Sequence, residues 1–555
     1  MSSRFSIAVF LVVTAAAAQP TPVTPLTIGS GNTATADPTV PRPKTTPCRV
    51  LLFTDMKFAD FSPKSFAYAP PAACPGPRQK VVLEADYSVE AGRQFDRTAT
   101  LWIGGVNVYF GTTAEPSRPP NPVARAWHVE RDLTEYGALL RTPSQGRAEL
   151  GNLVNETFTS SLWGTAQIAF YPSHGRDGPA RGVADLVLPL SASATGGTVA
   201  LFDPGAELSA TFQLPRNVER AYLDVVLQHQ GANDEFWYTC VPTNLAGELQ
   251  SCVGTAFREG QLSIDGQPAG VVPVFPWIFT GGVDPFFWRP IPAPQALNFV
   301  PYRVDVTPFA GVLSDGQPHR FAIKVTNDSQ FFSTTATLLL YLDSRSTQVT
   351  GAVTQNTIGT PSPSINAALS TDPTTGTVTG TVTTTSSRQF VLAGWVKTSH
   401  GRVQTQVAQK IDFSNLQQFV SPQALPETFI QDIQQSTAIS STTKVDGGRG
   451  SGETTVRMSW PLEMDLTVNI DQFGGFSQIG RVKQAYNRVD SNSDFSSLVS
   501  NSGEWADTFP TRQGQSGAQR FFFSDSEGRC FSRALSAAGG VLTSIVDGQG
   551  CGDDD

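Results

Sequence analysis

The chain has 555 residues and a formal net charge of −9, with 16% charged residues, 49 Gly, 40 Pro and 35 Phe. An acidic balance with no basic patch argues against nucleic acid as a partner. Short apolar segments punctuated by Gly and Pro predict an all-β chain of two or three domains. Residues 1–18 read as a signal peptide: Arg4, an apolar run from Phe5 to Thr14, then Ala15 to Ala18. This predicts a secreted protein, extracellular or vacuolar. No other stretch is long and apolar enough to span a membrane as a helix, and the acidic C-terminus carries no lipid-anchor signal. Residues 19–46 are rich in Thr, Pro and Ala and are expected to be disordered.

Ordered structure is expected from the strand that begins at Cys48. The six cysteines, Cys48, Cys74, Cys240, Cys252, Cys530 and Cys551, fall into three near-neighbour pairs. In an oxidising compartment, sequential pairing is the simplest of the possible connectivities. Asn155 and Asn327 head glycosylation sequons.

Two internal segments, 47–175 and 176–348, repeat one order of features. The first runs from Val81 to Tyr87, through a Gly-containing loop to Asp96-Arg97, and into the strand ending at Gly104-Gly105; it later reaches Asp132-Leu133-Thr134. The second runs from Ala221 to Leu227, through Gly231 to Glu235-Phe236-Trp237, and into the strand ending at Asp265-Gly266; it later reaches Asp305-Val306-Thr307. This implies a duplicated β-domain. The Gly104-Gly105 pair reads as a hairpin turn in which positive φ costs little. The second copy carries an insertion rich in Trp and Phe, from Val272 to Pro292. It suits either a stacking surface for sugar rings or a loop that packs its own aromatics. Residues 349–388, dominated by Thr, Ser, Gly and Pro, are expected as a linker or exposed ribbon, and 389–555 as a C-terminal β-rich region. Within it, Glu427 to Gln435 after Pro426 hints at a helical turn.

The chain has no H-E-x-x-H, no Gly-x-Ser-x-Gly elbow and no phosphate loop, and its five histidines are scattered. What remains for chemistry is carboxylates. Asp96, beside the permanent cation of Arg97, reads alone as a strand-end ion pair. Its match with Glu235 in the second copy raises it to half of a cleft between domains. Glu156, in the first sequon, reads on pattern alone as a solvent-facing acid. Carboxylates gathered in one site have their pKa values pushed apart, which yields an acid and a base from like residues.

The motifs Gln94-Phe-Asp-Arg-Thr-Ala99, Trp102-Ile-Gly-Gly105, Phe110-Gly-Thr-Thr-Ala-Glu-Pro116, Val129-Glu-Arg-Asp132, Asn233-Asp-Glu-Phe-Trp-Tyr238 and Gly281 through Pro290 resemble the peptide-N-glycosidase A family. More distantly, the chain is similar to the bacterial peptide-N-glycosidase F type. The resemblance implies two side-by-side antiparallel jelly-roll sandwiches, with the C-terminal region as a third part. It implies an amidase that releases intact N-glycans from asparagine of glycopeptides and glycoproteins, leaving aspartate. Asp96 is then the principal catalytic acid, with Glu235 and Glu156 polarising water or substrate. Arg97, Trp237, Trp288 and Arg289 are the expected substrate-binding residues, and no metal or cofactor is called for. Phe236 departs from the bacterial pattern, which has Trp there. The competing reading is a secreted jelly-roll protein of glycan-binding or cell-wall type without catalysis.

Overall fold

The computed structural model describes residues 26–94, 97–116, 123–173, 182–231, 234–448 and 450–551. The predicted signal peptide lies outside them, as does Asp96. The described chain is almost entirely antiparallel β. The first eight strands are β1 (Cys48–Phe58), β2 (Lys64–Tyr68), β3 (Arg78–Val89), β4 (Thr98–Ile103), β5 (Val106–Thr112), β6 (Arg125–Asp132), β7 (Ser144–Leu150) and β8 (Leu162–Pro172). They form two four-stranded sheets, ordered β1-β8-β3-β6 and β2-β7-β4-β5. This is the order produced by a long hairpin, with β4 and β5 at its tip, wound into a jelly roll. The tip is Gly104-Gly105, with φ of 54° and 82°. A side chain at Gly105 would stand 3.0 Å from the Ala194 carbonyl, so the glycine also lets the first sandwich approach the 193–197 turn. Alternate residues of β3, Leu83, Ala85 and Tyr87, point into a core shared with Leu101, Val108, Trp127 and Ile168.

After β9 (Leu186–Leu190), the pattern recurs in β10 (Val199–Leu201), β11 (Leu208–Gln213), β12 (Val218–Gln230), β13 (Glu259–Ile264), β14 (Gln267–Pro273), β15 (Tyr302–Asp305), β16 (Pro318–Thr326) and β17 (Phe331–Leu342). The sheets are β10-β17-β12-β15, with β9 added on β17, and β11-β16-β13-β14. Strand for strand this is the first topology again. The loop between β3 and β4 therefore corresponds to the loop between β12 and β13. The Asp-x-Thr turns correspond as well: Asp132 Oδ1 accepts the Thr134 N–H at 2.9 Å, and Asp305 Oδ1 accepts the Thr307 N–H at 2.9 Å.

The remaining strands are β18 (Thr350–Asn356), β19 (Ser364–Thr371), β20 (Val378–Thr398), β21 (Gly401–Ser421), β22 (Glu427–Gly447), β23 (Gly452–Ile470), β24 (Phe476–Ser491), β25 (Ser496–Phe509), β26 (Ser516–Asp525), β27 (Cys530–Ala538) and β28 (Val541–Asp547). They form one 11-stranded sheet that packs on the second sandwich and shares its core. Most of the stretch 349–388, expected as a linker or exposed ribbon, is strand: β19 is largely exposed, while Thr/Val alternation gives β20 a buried face through Val378, Val382 and Thr384. Glu427 to Gln435 is strand as well, in register with Ile470 to Leu462, because Gln431, Ile433 and Gln435 alternate into the buried face. Pro426 marks the strand's start.

The inner face of this sheet, with the turn leading into β26, carries buried amide side chains that donate to loop carbonyls of the second sandwich. Asn415 reaches Tyr238 O (2.9 Å), Gln417 reaches Cys240 O (2.9 Å), Gln484 reaches Pro276 O (2.6 Å) and Gln515 reaches Arg289 O (3.0 Å). A loop that leaves its strand exposes carbonyls that must find donors once buried, and these amides supply them.

The 19–46 stretch, expected to be disordered, is ordered over its described part, 26–46. Within it, Ala34 and Ala36 are buried in the shared core. Its backbone bonds all three regions, through Thr33 N to Ala126 O (3.1 Å), Ala34 N to Pro290 O (2.9 Å) and Gly29 N to Leu542 O (2.7 Å). The cysteines pair sequentially, as Cys48–Cys74, Cys240–Cys252 and Cys530–Cys551. Among the described residues, no helix is long and apolar enough to cross a membrane.

Candidate active site

The segment from Glu90 to Gln94 leads out of β3 toward Asp96. It is laced to the return leg of the 151–161 loop. Thr159 N donates to Arg93 O (2.8 Å), Glu90 N donates to Ser161 O (2.9 Å), and the Arg93 guanidinium lies 5.2 Å over the Phe158 ring. Gly92 has φ of 142°, and a Cβ there would lie 2.3 Å from Thr159 Oγ1, so only glycine allows this approach. The 151–161 loop is closed at its base by buried Asn152, which donates to Phe58 O (2.9 Å) and Ser160 O (3.1 Å). At its tip, Asn155 Oδ1 accepts the N–H groups of Thr157 and Phe158, both at 2.8 Å. Glu156 sits exposed on that tip. The loop with Glu156 and the segment leading to Asp96 are thus held side by side.

Gln94 and Arg97, which flank Phe95 and Asp96 in the chain, are both buried. Gln94 donates through Nε2 to Glu115 Oε1 at 2.8 Å. Glu115, itself buried, pairs through Oε2 with the Arg289 guanidinium at 3.1 Å. Sequence reasoning misses Glu115; only its place in the Phe110–Pro116 motif marks it.

In the second sandwich, Gly231 (φ 79°) turns the chain out of β12, and Glu235 N donates back to Gly231 O at 2.7 Å. Glu235 is half-buried. Asp234 beside it is fully buried: Oδ1 accepts from Arg258 Nε at 2.9 Å, while Oδ2 accepts the N–H groups of Ser329, Gln330 and Phe331 at 3.0, 2.7 and 2.9 Å. Just beyond the turn, the Cys240–Cys252 disulfide and the amides of Asn415 and Gln417 fix the chain. Burial pushes the Tyr238 phenol well up, and the Glu235 charge nearby adds to this. Burial holds His229 neutral, its pKa lowered to about 4.

The insertion between β14 and β15 joins the two loops. Its 296–299 end pairs with the open side of β5: Thr112 N donates to Ala296 O (2.8 Å), and Phe299 N donates to Phe110 O (2.8 Å). Thr280 Oγ1 donates to Thr113 O, and Thr113 in turn donates to the Gln94 amide oxygen at 3.5 Å. On its other flank, Phe279 packs on His229, and Gly282 lies against the Phe236 ring next to Glu235. One wall therefore carries the neighbours of Asp96 and of Glu235.

That wall settles which use the insertion makes of its aromatics. Phe275, Trp277, Phe287 and Trp288 are buried in the core rather than presented to sugar. Trp288 is 2% exposed, lies 5.0 Å from the Trp505 ring and donates to Gly282 O at 2.8 Å. Trp237 is 1% exposed and packs on His229, Tyr238 and Phe413. Neither offers a face to a ligand, so both expected sugar contacts are corrected to core residues. Arg289 is partly buried and has structural partners in the wall. It holds Glu115, and its guanidinium lies 4.9 Å over the Phe286 ring. Behind the wall, Asp284 lies beside Asp507, both buried; burial, with Asp507 adding, pushes Asp284 up to about 6. Among the described residues, no group of three or more His, Cys, Asp and Glu side chains is arranged to hold a metal ion.

Two jelly rolls in tandem, with the β3–β4 and β12–β13 loops at matching places joined by one buried wall, define a protein of the two-sandwich class. The chain belongs to the peptide N-acetyl-β-D-glucosaminyl asparaginase amidase A family, whose match covers residues 37–358. It is 34% identical over 393 residues to the peptide-N4-(N-acetyl-β-glucosaminyl)asparagine amidase A of Prunus dulcis, covering 67% of each chain. Among solved structures, PNGase F of Flavobacterium meningosepticum is 12% identical with a TM-score of 0.36, covering 54% of this chain and 97% of that one. PNGF-II is 14% identical with a TM-score of 0.36, covering 53% and 66%.

Proposed function

We propose that the chain hydrolyses the amide bond between an N-linked glycan and its asparagine, releasing the whole glycan and leaving aspartate. The observation that carries this reading is the family match across both sandwiches, which spans the two acid-bearing loops. An amide is a poor electrophile with a poor leaving group, so attack on the carbonyl and protonation of the nitrogen need simultaneous help. Asp96 acts at the reacting amide, on the leaving nitrogen or the attacking water. Glu235 positions that water, and Glu156, on the adjacent exposed loop, completes the hydrogen-bonding set. Arg97 sets the charge of Asp96 from a buried position. The released glycosylamine hydrolyses to free sugar and ammonia. Three disulfides suit folding in an oxidising compartment, and a secreted protein acting on glycopeptides and glycoproteins is part of the proposal.

The test is turnover of a defined glycopeptide by the parent chain and by Glu235→Gln and Glu156→Gln. Glycan release that is lost in Glu235→Gln, with an unchanged unfolding midpoint, supports the assignment. Release at the parent rate by both variants overturns it.

A further inference from the structure

We propose that Glu115 is a positioning residue for the reaction, acting through Gln94 on the segment that carries Asp96; the inference rests on the function proposed above. A carboxylate 4% exposed is costly to bury, and it persists in folded proteins where its charge and lone pairs are answered. Glu115 is answered from two sides: Oε1 takes the Gln94 amide at 2.8 Å and Oε2 takes the Arg289 guanidinium at 3.1 Å. A hydrophobic side chain of equal volume would fill the same space without the desolvation cost. The ion pair therefore contributes geometry that an apolar core does not.

The geometry runs across the whole molecule. Gln94 stands two residues before Asp96, in the first sandwich. Arg289 belongs to the insertion of the second. Its own backbone is fixed by the C-terminal sheet, through Gln515 Nε2 to Arg289 O (3.0 Å) and to Phe286 O (3.1 Å). The Arg289 and Arg512 guanidinium groups both lie over the Phe286 ring, at 4.9 and 3.9 Å. Thr113 holds the other end of the Gln94 amide at 3.5 Å, so Gln94 is fixed at both its oxygen and its nitrogen. The strut fixes Gln94, which stands two residues before Asp96 in the chain. Displacement of a reacting group by about 1 Å costs up to roughly a hundredfold in rate.

The experiment measures kcat and KM separately on a defined N-glycopeptide, with unfolding midpoints, for Glu115→Gln, Gln94→Leu and Asp96→Asn. Glu115→Gln removes the charge and keeps the shape. Gln94→Leu removes the strut and leaves the Glu115–Arg289 pair intact, so a folding defect in the first variant does not shelter the proposal. The expected result is a fall in kcat of about tenfold to a hundredfold in both, with KM within about twofold of the parent, because only transition-state geometry is lost. Parent kcat in Gln94→Leu, or a raised KM with kcat intact in Glu115→Gln, overturns the positioning role. An Asp96→Asn chain that is still active removes the underlying reading instead, so the two failures are distinguishable.

Discussion

Replacing Asp234 by Asn tests the support beneath Glu235. Both Asp234 and Arg258 have side chains at 0% exposure. The substitution keeps an oxygen for the N–H groups of Ser329, Gln330 and Phe331 but turns an amide toward Arg258 Nε and leaves that cation buried without its counter-ion. Breaking a buried pair from one side costs about 3–5 kcal/mol. The second sandwich shares its core with the C-terminal sheet, so at roughly 1.3 °C per kcal/mol for the joint unit the unfolding midpoint falls by about 4–6 °C. Asp234→Ala also strands three backbone donors, each worth about 1–3 kcal/mol when buried unpaired, and falls further. A second signature comes from Asp328, whose carboxyl is pushed up to about 7, by burial first and then by the Asp234 charge. Without that charge Asp328 ionises more readily and faces an unanswered Arg258. The loss in Asp234→Asn is therefore smaller at pH 8 than at pH 5. Differential scanning calorimetry at both values is the assay. A midpoint within about 2 °C of the parent at pH 5 refutes the reasoning.

Two further outcomes rest on burial. Asp284, pushed up to about 6, contributes stability that is full below the unfolded carboxyl value and lost as pH rises through 6. Asp37, also pushed up to about 6 by burial, and Asp328 act in the same sense. The thermal midpoint is therefore higher near pH 5 than near pH 8, and Asp284→Asn narrows the difference; a midpoint that rises across this window contradicts the assignment. Trp288→Ala, which empties a core position, lowers stability by about 3–5 kcal/mol. Measured by chemical denaturation, an unchanged stability with a raised KM would return Trp288 to the sugar site.

Much of the fold is legible in the sequence where local chemistry dictates local form. The Gly104-Gly105 tip, the paired Asp-x-Thr turns at Asp132 and Asp305, and the sequential cysteine spacing each obey a short-range rule. So do the matching places of the Asp96 and Glu235 loops. What escapes depends on partners far away in the chain. The 26–46 strap reads as disordered because its apolar residues are small, yet Ala34 and Ala36 are buried in the core shared with the second sandwich and the C-terminal sheet. The long strands after Thr350 are rich in Thr, Ser and Gln, and their buried face sets amides that cap loop carbonyls among apolar residues such as Phe413, Trp460 and Trp505. Trp237 and Trp288 have the composition of a sugar platform, and only the packing of Trp505 and Phe413 against them shows that they are core. Glu115 is one acid among many until its Arg289 partner, distant in sequence, is beside it.

The most direct measurement is mass spectrometry of a defined N-glycopeptide after incubation with the chain at mildly acidic pH, beside its Asp96→Asn variant. The account predicts that the parent converts the glycosylated asparagine to aspartate and frees the intact glycan, while Asp96→Asn, folded with a parent-like midpoint, leaves the glycopeptide whole. Glycan bound but never released, a single N-acetylglucosamine left on asparagine, or full release by Asp96→Asn would contradict it.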